Sequence, residues 1–226
     1  MLLLVTDTSG SNGTVALARA SEHDRRDAEL IETASLAGGM FSAQLVPQIA
    51  ALLQKHGLAK TDIGGFIVVS GPGSFTGLRV GLAAIKALAE ILQKPIVPVS
   101  LLEVVAVASR AQGKVSAVLD ARRGEVFFGA YEIAGESAHV LREELLSRPD
   151  FLTAARESSV ATPDSALDAL AREAGLSVFT VETPGPEMIA RFGWKKLQAG
   201  QTISPEQLEA NYMRRSDAEM FVKSGS

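Results

Sequence analysis

Val68 to Glu90 reads VVSGPGSFTGLRVGLAAIKALAE, and no other stretch of the chain restricts its fold as much. Phe66 to Ser70 is a near-continuous apolar run, as expected of a strand buried on both faces. A glycine-rich turn follows, Ser74 stands where a helix N-cap belongs, and Phe75 to Leu92 is expected to be helical. The turn is not a Walker loop: Gly71 to Gly77 is one residue too long, and Leu78 stands where lysine is required. The dinucleotide fingerprint fails as well, because Thr76 replaces its last glycine. Gly77, Gly81 and Ala84 share one stripe of the helix, with Thr76, Ala83 and Ala87 alongside. Glycine inside a helix costs roughly 0.5–1 kcal/mol relative to alanine, so two of them imply a close neighbour. Spacing alone favours packing on the chain's own sheet and leaves a helix from another subunit as the second reading.

The surrounding pattern is α/β. Leu2 to Thr6 reads as a buried strand, Thr14 to Arg19 as its hairpin partner and Glu29 to Leu36 as a third strand, with a charged tip at SEHDRRDA. Ser42 to His56 has helical spacing at Leu45, Ile49, Leu52 and Leu53, with Pro47 expected either in or near the first turn or at a bend of the helix. PIVPVS is a short buried strand and Leu101 to Arg110 a helix. A second unit begins near Lys114 with strand, tight turn and strand, Gly124 taking positive φ in the turn DARRGE. Helices around Ser165–Ala174 and Pro186–Ala199 flank the strand SVFTVE. The expected lobes are residues 1–108 and 109–226.

Composition narrows the function. Of 226 residues 46% are hydrophobic, the formal net charge is -4 and there is no cysteine. The acidic balance argues weakly against a surface that itself grips nucleic acid, and the lack of cysteine excludes disulfides, Cys-ligated metal and a thiol nucleophile. The first residues carry no basic leader, and no apolar run nears the roughly 20 residues of a membrane span, so a cytoplasmic protein without membrane contact is expected. His23, His56 and His139 are scattered, and no metal site is expected. Asp7, Thr8 and Ser9 turn the first strand into its hairpin; actin-like and sugar-kinase-like ATPases hold phosphate or metal at such a turn, whereas a polar hairpin turn needs no ligand. Asp120, Arg122, Arg123 and Glu125 read as solvated turn charges, and Arg214 and Arg215 with Asp217 and Glu219 as a charge-balanced segment. GPGSFTG is not a nucleophile elbow, since its glycine falls one position late. No catalytic constellation emerges, and that leans toward a binding or scaffold role.

LLVTDTSGSNGTVAL, LVPQIAALL, GPGSFTGLRVGLAAIKALA, LDARRGEVFFGAYE and NYMRRSDAE together resemble the TsaB (YeaZ) family from end to end. The resemblance implies an actin-like ASKHA fold: two related lobes, each a mixed sheet with flanking helices. It implies a non-catalytic subunit of the machinery that makes N6-threonylcarbamoyladenosine in tRNA, working with the catalytic paralogue TsaD and the ATPase TsaE and meeting tRNA only through the complex. It also implies that the two N-terminal-lobe helices pack on TsaD or on a second copy in a homodimer. Carried over, that interface is Leu45, Ile49, Leu52, Thr76, Gly77, Val80, Gly81, Ala84, Ile85 and Leu88, so the glycine stripe becomes a subunit seam. Asp7, Thr8, Ser9 and Arg79 become the residues nearest any nucleotide, with ATP or ADP assigned to the partner interface rather than to the chain as its own cofactor. One departure stands out: Phe41-Ser42 replaces the His-Ser pair common in the family. The competing reading is a small ASKHA ATPase or phosphotransferase built on Asp7 and the Gly71–Gly77 turn.

Overall fold

The computed structural model describes residues 1–21 and 28–214, and the chain divides into two compact units. The charged tip after Ser21 and the segment from Arg215 onward lie outside the described residues.

The first unit is Met1–Ser100 with Gly185–Asn211. Strands β1 (Leu2–Asp7), β2 (Gly13–Ala20) and β3 (Ala28–Leu36) form an antiparallel meander. Helix α1 (Phe41–Lys55) then leads to β4 (Ile63–Gly71), α2 (Phe75–Leu92) and β5 (Ile96–Ser100). β4 lies parallel to β1 and β5 parallel to β4, giving the order β3-β2-β1-β4-β5. Leu2, Leu4, Phe66 and Val68 point to the face covered by α1 and α2, where Leu45, Ile49, Leu52, Leu78, Leu82 and Ile85 complete one core. The runs at β1 and β4 are continuously apolar because both faces of the sheet are buried.

The second unit comprises Leu101–Pro184 and the chain from Tyr212. Here α3 (Leu101–Ala108) precedes β6 (Gly113–Arg122), β7 (Glu125–Ala134), β8 (Ser137–Ser147), α4 (Arg148–Ala154), β9 (Ser159–Thr162), α5 (Ser165–Glu173) and β10 (Val178–Thr180). The order β10-β9-β6-β7-β8, with β9 parallel to both β6 and β10, repeats the first sheet strand for strand. The α/β architecture of two mixed five-stranded sheets with flanking helices is the one expected.

The boundary at residue 108 is not. Helix α3 follows β5 in sequence, yet Leu102, Val105 and Ala106 pack with Val115, Ala117 and Tyr131 of the second sheet. Helix α6 (Pro186–Gln198) follows β10 but belongs to the first unit. There Gly193 meets Ile67, and Leu197 lies by Gly65. The cause is burial: Ile67 and Leu3 face away from α1 and α2, and without α6 that side of the first sheet would be wet. Of the two expectations for Pro47, its position inside α1 beyond the first turn, on the exposed side, rules out the first-turn one. Among the described residues no helix is long and apolar enough to cross a membrane.

The β6–β7 turn carries the positive φ expected of Gly124, and Arg122 and Arg123 share it, at φ 65 and 56 against 79 for the glycine. For a residue with a Cβ the left-handed region costs roughly 1–2 kcal/mol.

Because α3 serves the second sheet, Leu102→Ala should cost about 2–5 kcal/mol. Hydrogen exchange should quicken first at the amides of β6 and β7. If it quickens equally or first in β4 and β5, the assignment of α3 to the second unit is wrong.

Candidate functional site

Two features of the first unit bear on function: the turn after β1, and the outer surface of α1 and α2.

At the turn, one carboxylate oxygen of Asp7 accepts from the Ser9 amide at 2.8 Å and from Ser9 Oγ at 2.6 Å. Burial pushes the Asp7 carboxyl above the usual carboxylate range, with the two Ser9 hydrogen bonds opposing it. Thr8 and Ser9 are themselves buried. What buries them is α2 and the loop before it. Gly73 lies against the Ser9 backbone, Gly77 against the Thr8 carbonyl and Gly81 against Thr8 Oγ1, each so close that a Cβ would approach well under 3.0 Å. The Ser74 amide donates to the Ser9 carbonyl at 2.6 Å, tying the loop to the same turn. At the helix start Ser74 Oγ accepts from the Gly77 amide at 3.3 Å, as expected of an N-cap, and the Ser74 carbonyl accepts from the Leu78 amide. A phosphate cradle needs open space and free amides. This turn has packed backbone and a half-buried carboxylate bound to its own neighbour.

The stripe of Gly77 and Gly81 is therefore not an exposed seam. Both glycines are buried against their own chain, and so are Leu45, Ile49, Leu52 and Ile85, whose side chains fill the first core. Of the expected interface residues, Thr76 is exposed and Val80, Ala84 and Leu88 are half-buried along the outer edge of α2. Ala83, Ala87 and Ile91, the last 70% exposed, continue that outer stripe. On α1 it is matched by Ala43, Val46, Pro47 and Ala50, with Val46 54% exposed. The two helices pack on each other and on the same sheet, so these residues form one apolar face. The inner and outer stripes of α2 are both small and adjacent, so spacing could not separate them. Arg79 sits at one end of the face with its guanidinium 3.7 Å from the Phe75 ring centroid, on the exposed side of α2 rather than in the Asp7 turn.

Phe41 finds its role here. Its ring closes over both Gly13 and Gly77, whose added Cβ atoms would each come within 3.1 Å of it. The aromatic ring thus locks α1 to the β2 start and to α2. Among the described residues no group of three or more His, Asp or Glu could hold a metal ion.

The family model for TsaD, tRNA N6-adenosine threonylcarbamoyltransferase, matches residues 35–203, well over half of the chain. The chain is 29% identical to the tRNA threonylcarbamoyladenosine biosynthesis protein TsaB of Bacillus subtilis, over 97% of this chain and 96% of that protein. It is also 29% identical to the Escherichia coli protein of the same name, over 77% and 81%. Among solved structures, a Pseudomonas aeruginosa protein described as similar to peptidase YeaZ superposes with a TM-score of 0.70 at 26% identity, covering 94% of this chain and 99% of that one. The chain belongs to the TsaB (YeaZ) family. Its Asp7 turn is packed against α2, and the outer face of α1 and α2 exposes a run of small and aliphatic residues.

Two measurements test this geometry. Gly81→Ala should lower stability by about 1–3 kcal/mol through the clash with Thr8 Oγ1, and Thr8→Ala should recover most of that loss in the double variant. Additive losses would mean that the two residues are not in contact. The second concerns pH. A carboxyl whose folded pKa is raised favours folding while protonated, and that contribution is lost as pH rises through the folded pKa. Asp7→Asn keeps the acceptor for Ser9 and removes the ionisation. The variant should therefore melt above the parent at pH 7, with the gap closing as pH falls toward 3.8 and below. A gap that does not change with pH would show that Asp7 is not held in a desolvated site.

Proposed function

We propose that this chain acts in tRNA threonylcarbamoyladenosine biosynthesis as a non-catalytic partner subunit, docking on a TsaD-type transferase through the outer face of α1 and α2. The observation that carries the reading is that face: Ala43, Val46, Pro47, Ala50, Ala83, Ala87 and Ile91 leave two packed helices apolar and uncovered. Contiguous apolar surface of this kind marks protein–protein contact. The names of the relatives supply the pathway. The filled Asp7 turn speaks against the alternative, a small ASKHA ATPase or phosphotransferase, because a phosphate would have to displace the α2 backbone. A second copy of the chain could use the same face when the transferase is absent, TsaE would join on the assembled pair, and tRNA would be met by the complex.

Ala83→Arg places a long cation at the centre of the face without touching the core, since Ala83 is exposed. Titration calorimetry with the transferase subunit should show affinity weakened tenfold or more, about 1.4 kcal/mol or above, at an unchanged melting temperature. Unchanged affinity would remove α2 from the interface. ATP hydrolysis by the purified chain, lost in Asp7→Ala, would overturn the non-catalytic reading.

A further inference from the structure

The β6–β7 hairpin tip is an arginine cluster that the docking face does not use. Arg122, Arg123 and Gly124 all have positive φ, where asparagine or glycine would fit with less strain than arginine. The sequence nonetheless places two guanidiniums there, both exposed, Arg122 at 88%. A third, Arg148, joins them through its amide, which donates to the Gly124 carbonyl at 3.1 Å. One carboxylate serves the group. Asp120 lies 3.6 Å from a nitrogen of Arg122 and 3.6 Å from one of Arg148, too far to hydrogen-bond with either. Its oxygen instead accepts from the Arg122 amide at 3.2 Å. The other nearby acids are engaged: Glu125 is taken by Arg214, and Asp150 accepts from Ser147 Oγ. Arg148 Nε is buried with no hydrogen-bond partner, and Arg123 has no carboxylate partner among the described residues.

We propose that this tip binds RNA phosphate, two exposed arginines taking neighbouring phosphates of the tRNA that the complex holds. The proposal rests on the tRNA-modification reading above. Strained backbone kept for the sake of a side chain points to function, and guanidinium forks suit phosphate oxygens. With a net charge of -4 the chain has no overall basic excess, so the contact is assigned to the tip alone. An acidic protein surface is the competing occupant.

The test titrates a fluorescent, unmodified tRNA transcript with the full chain, alone and with the transferase subunit, between 50 and 200 mM salt. The double variant R122N/R123N keeps residues at home in the left-handed region. It should weaken RNA binding about 3- to 10-fold and flatten the salt slope by about 1.5, as expected for two lost phosphate contacts. Its melting temperature should hold or rise. R122K/R123K should retain the slope. An unchanged affinity and slope in R122N/R123N overturns the proposal, and so does a transcript that binds neither the chain nor its complex at 50 mM salt. A tip-dependent affinity for polyglutamate without any for the transcript overturns it in favour of the acidic partner. If the transferase fails to associate while the chain alone binds RNA through the tip, the docking reading falls and this one stands.

Discussion

The close approach of α2 to the turn after β1 underlies the organisation of the first unit. Gly73, Gly77 and Gly81 present bare backbone to Ser9 and Thr8 over two helical turns. Each glycine inside the helix weakens it. The return is a close contact, backbone on backbone at Gly73 and Gly77 and against the Thr8 side chain at Gly81, with dispersion gained at a density that larger side chains could not reach. That contact holds α2 down on β1 and β4, and it buries the polar residues Thr8 and Ser9. It also leaves Asp7 facing its own neighbour Ser9 rather than an open cleft. The same interaction that secures the fold thereby packs the turn after β1 against the start of α2.

A second constraint shapes the chain's course. Each sheet has apolar residues on both faces, so each needs helices on both sides. The helices formed between a sheet's own strands cover one side. The other is covered by the helix that follows the opposite sheet's last strand: α3 after β5 serves the second, α6 after β10 the first. Neither unit can therefore be cut from the sequence as one continuous piece. Apart from Glu103, α3 is apolar throughout, and its buried Leu102, Val104, Val105 and Ala106 fit its role as a sheet cover.

These constraints explain what the sequence made legible. Continuous apolar runs at β1 and β4, the N-cap at Ser74, the helix Phe75–Leu92 and the turn at Gly124 each follow from local chemistry, and each is found. β8, α4 and β9 were not foreseen. β8 reads SAHVLREELLS and lies at an edge with no fully buried residue, so the alternation that marks a half-buried strand is missing. β9 is only four residues long, and α4 seven. The exchange of α3 and α6 is a tertiary choice between two apolar surfaces that look alike in sequence. So is the division of α2: its inner face of Gly77 and Gly81 and its outer face of Ala83 and Ala87 differ in burial but hardly in residue type. Phe41 was visible as a departure from the family pattern, but its function depends on Gly13 and Gly77 meeting in space.

The alanine-rich outer face follows from the same economy of size. An apolar surface that must wait in water is costly in proportion to its area. Alanine keeps that area small and preserves helix propensity, so Ala43, Ala50, Ala83 and Ala87 leave α1 and α2 stable without a partner. Short side chains also allow a facing helix to come nearer than the usual 8–10 Å or so between axes, and dispersion then replaces what large side chains would have contributed. Val46 and Ile91 are exceptions, large and more than half exposed. A face otherwise made mostly of alanine has shallow relief, from which these two aliphatic groups project. Arg79, stacked on Phe75 at the edge, adds the one fixed charge near this surface whose orientation is held by an aromatic ring. The proposed docking on this face would draw on its small residues for close approach, its two projecting aliphatic groups for register and its rim cation for orientation. Its inner counterpart, filled by Thr8 and Ser9, has no capacity left for a partner.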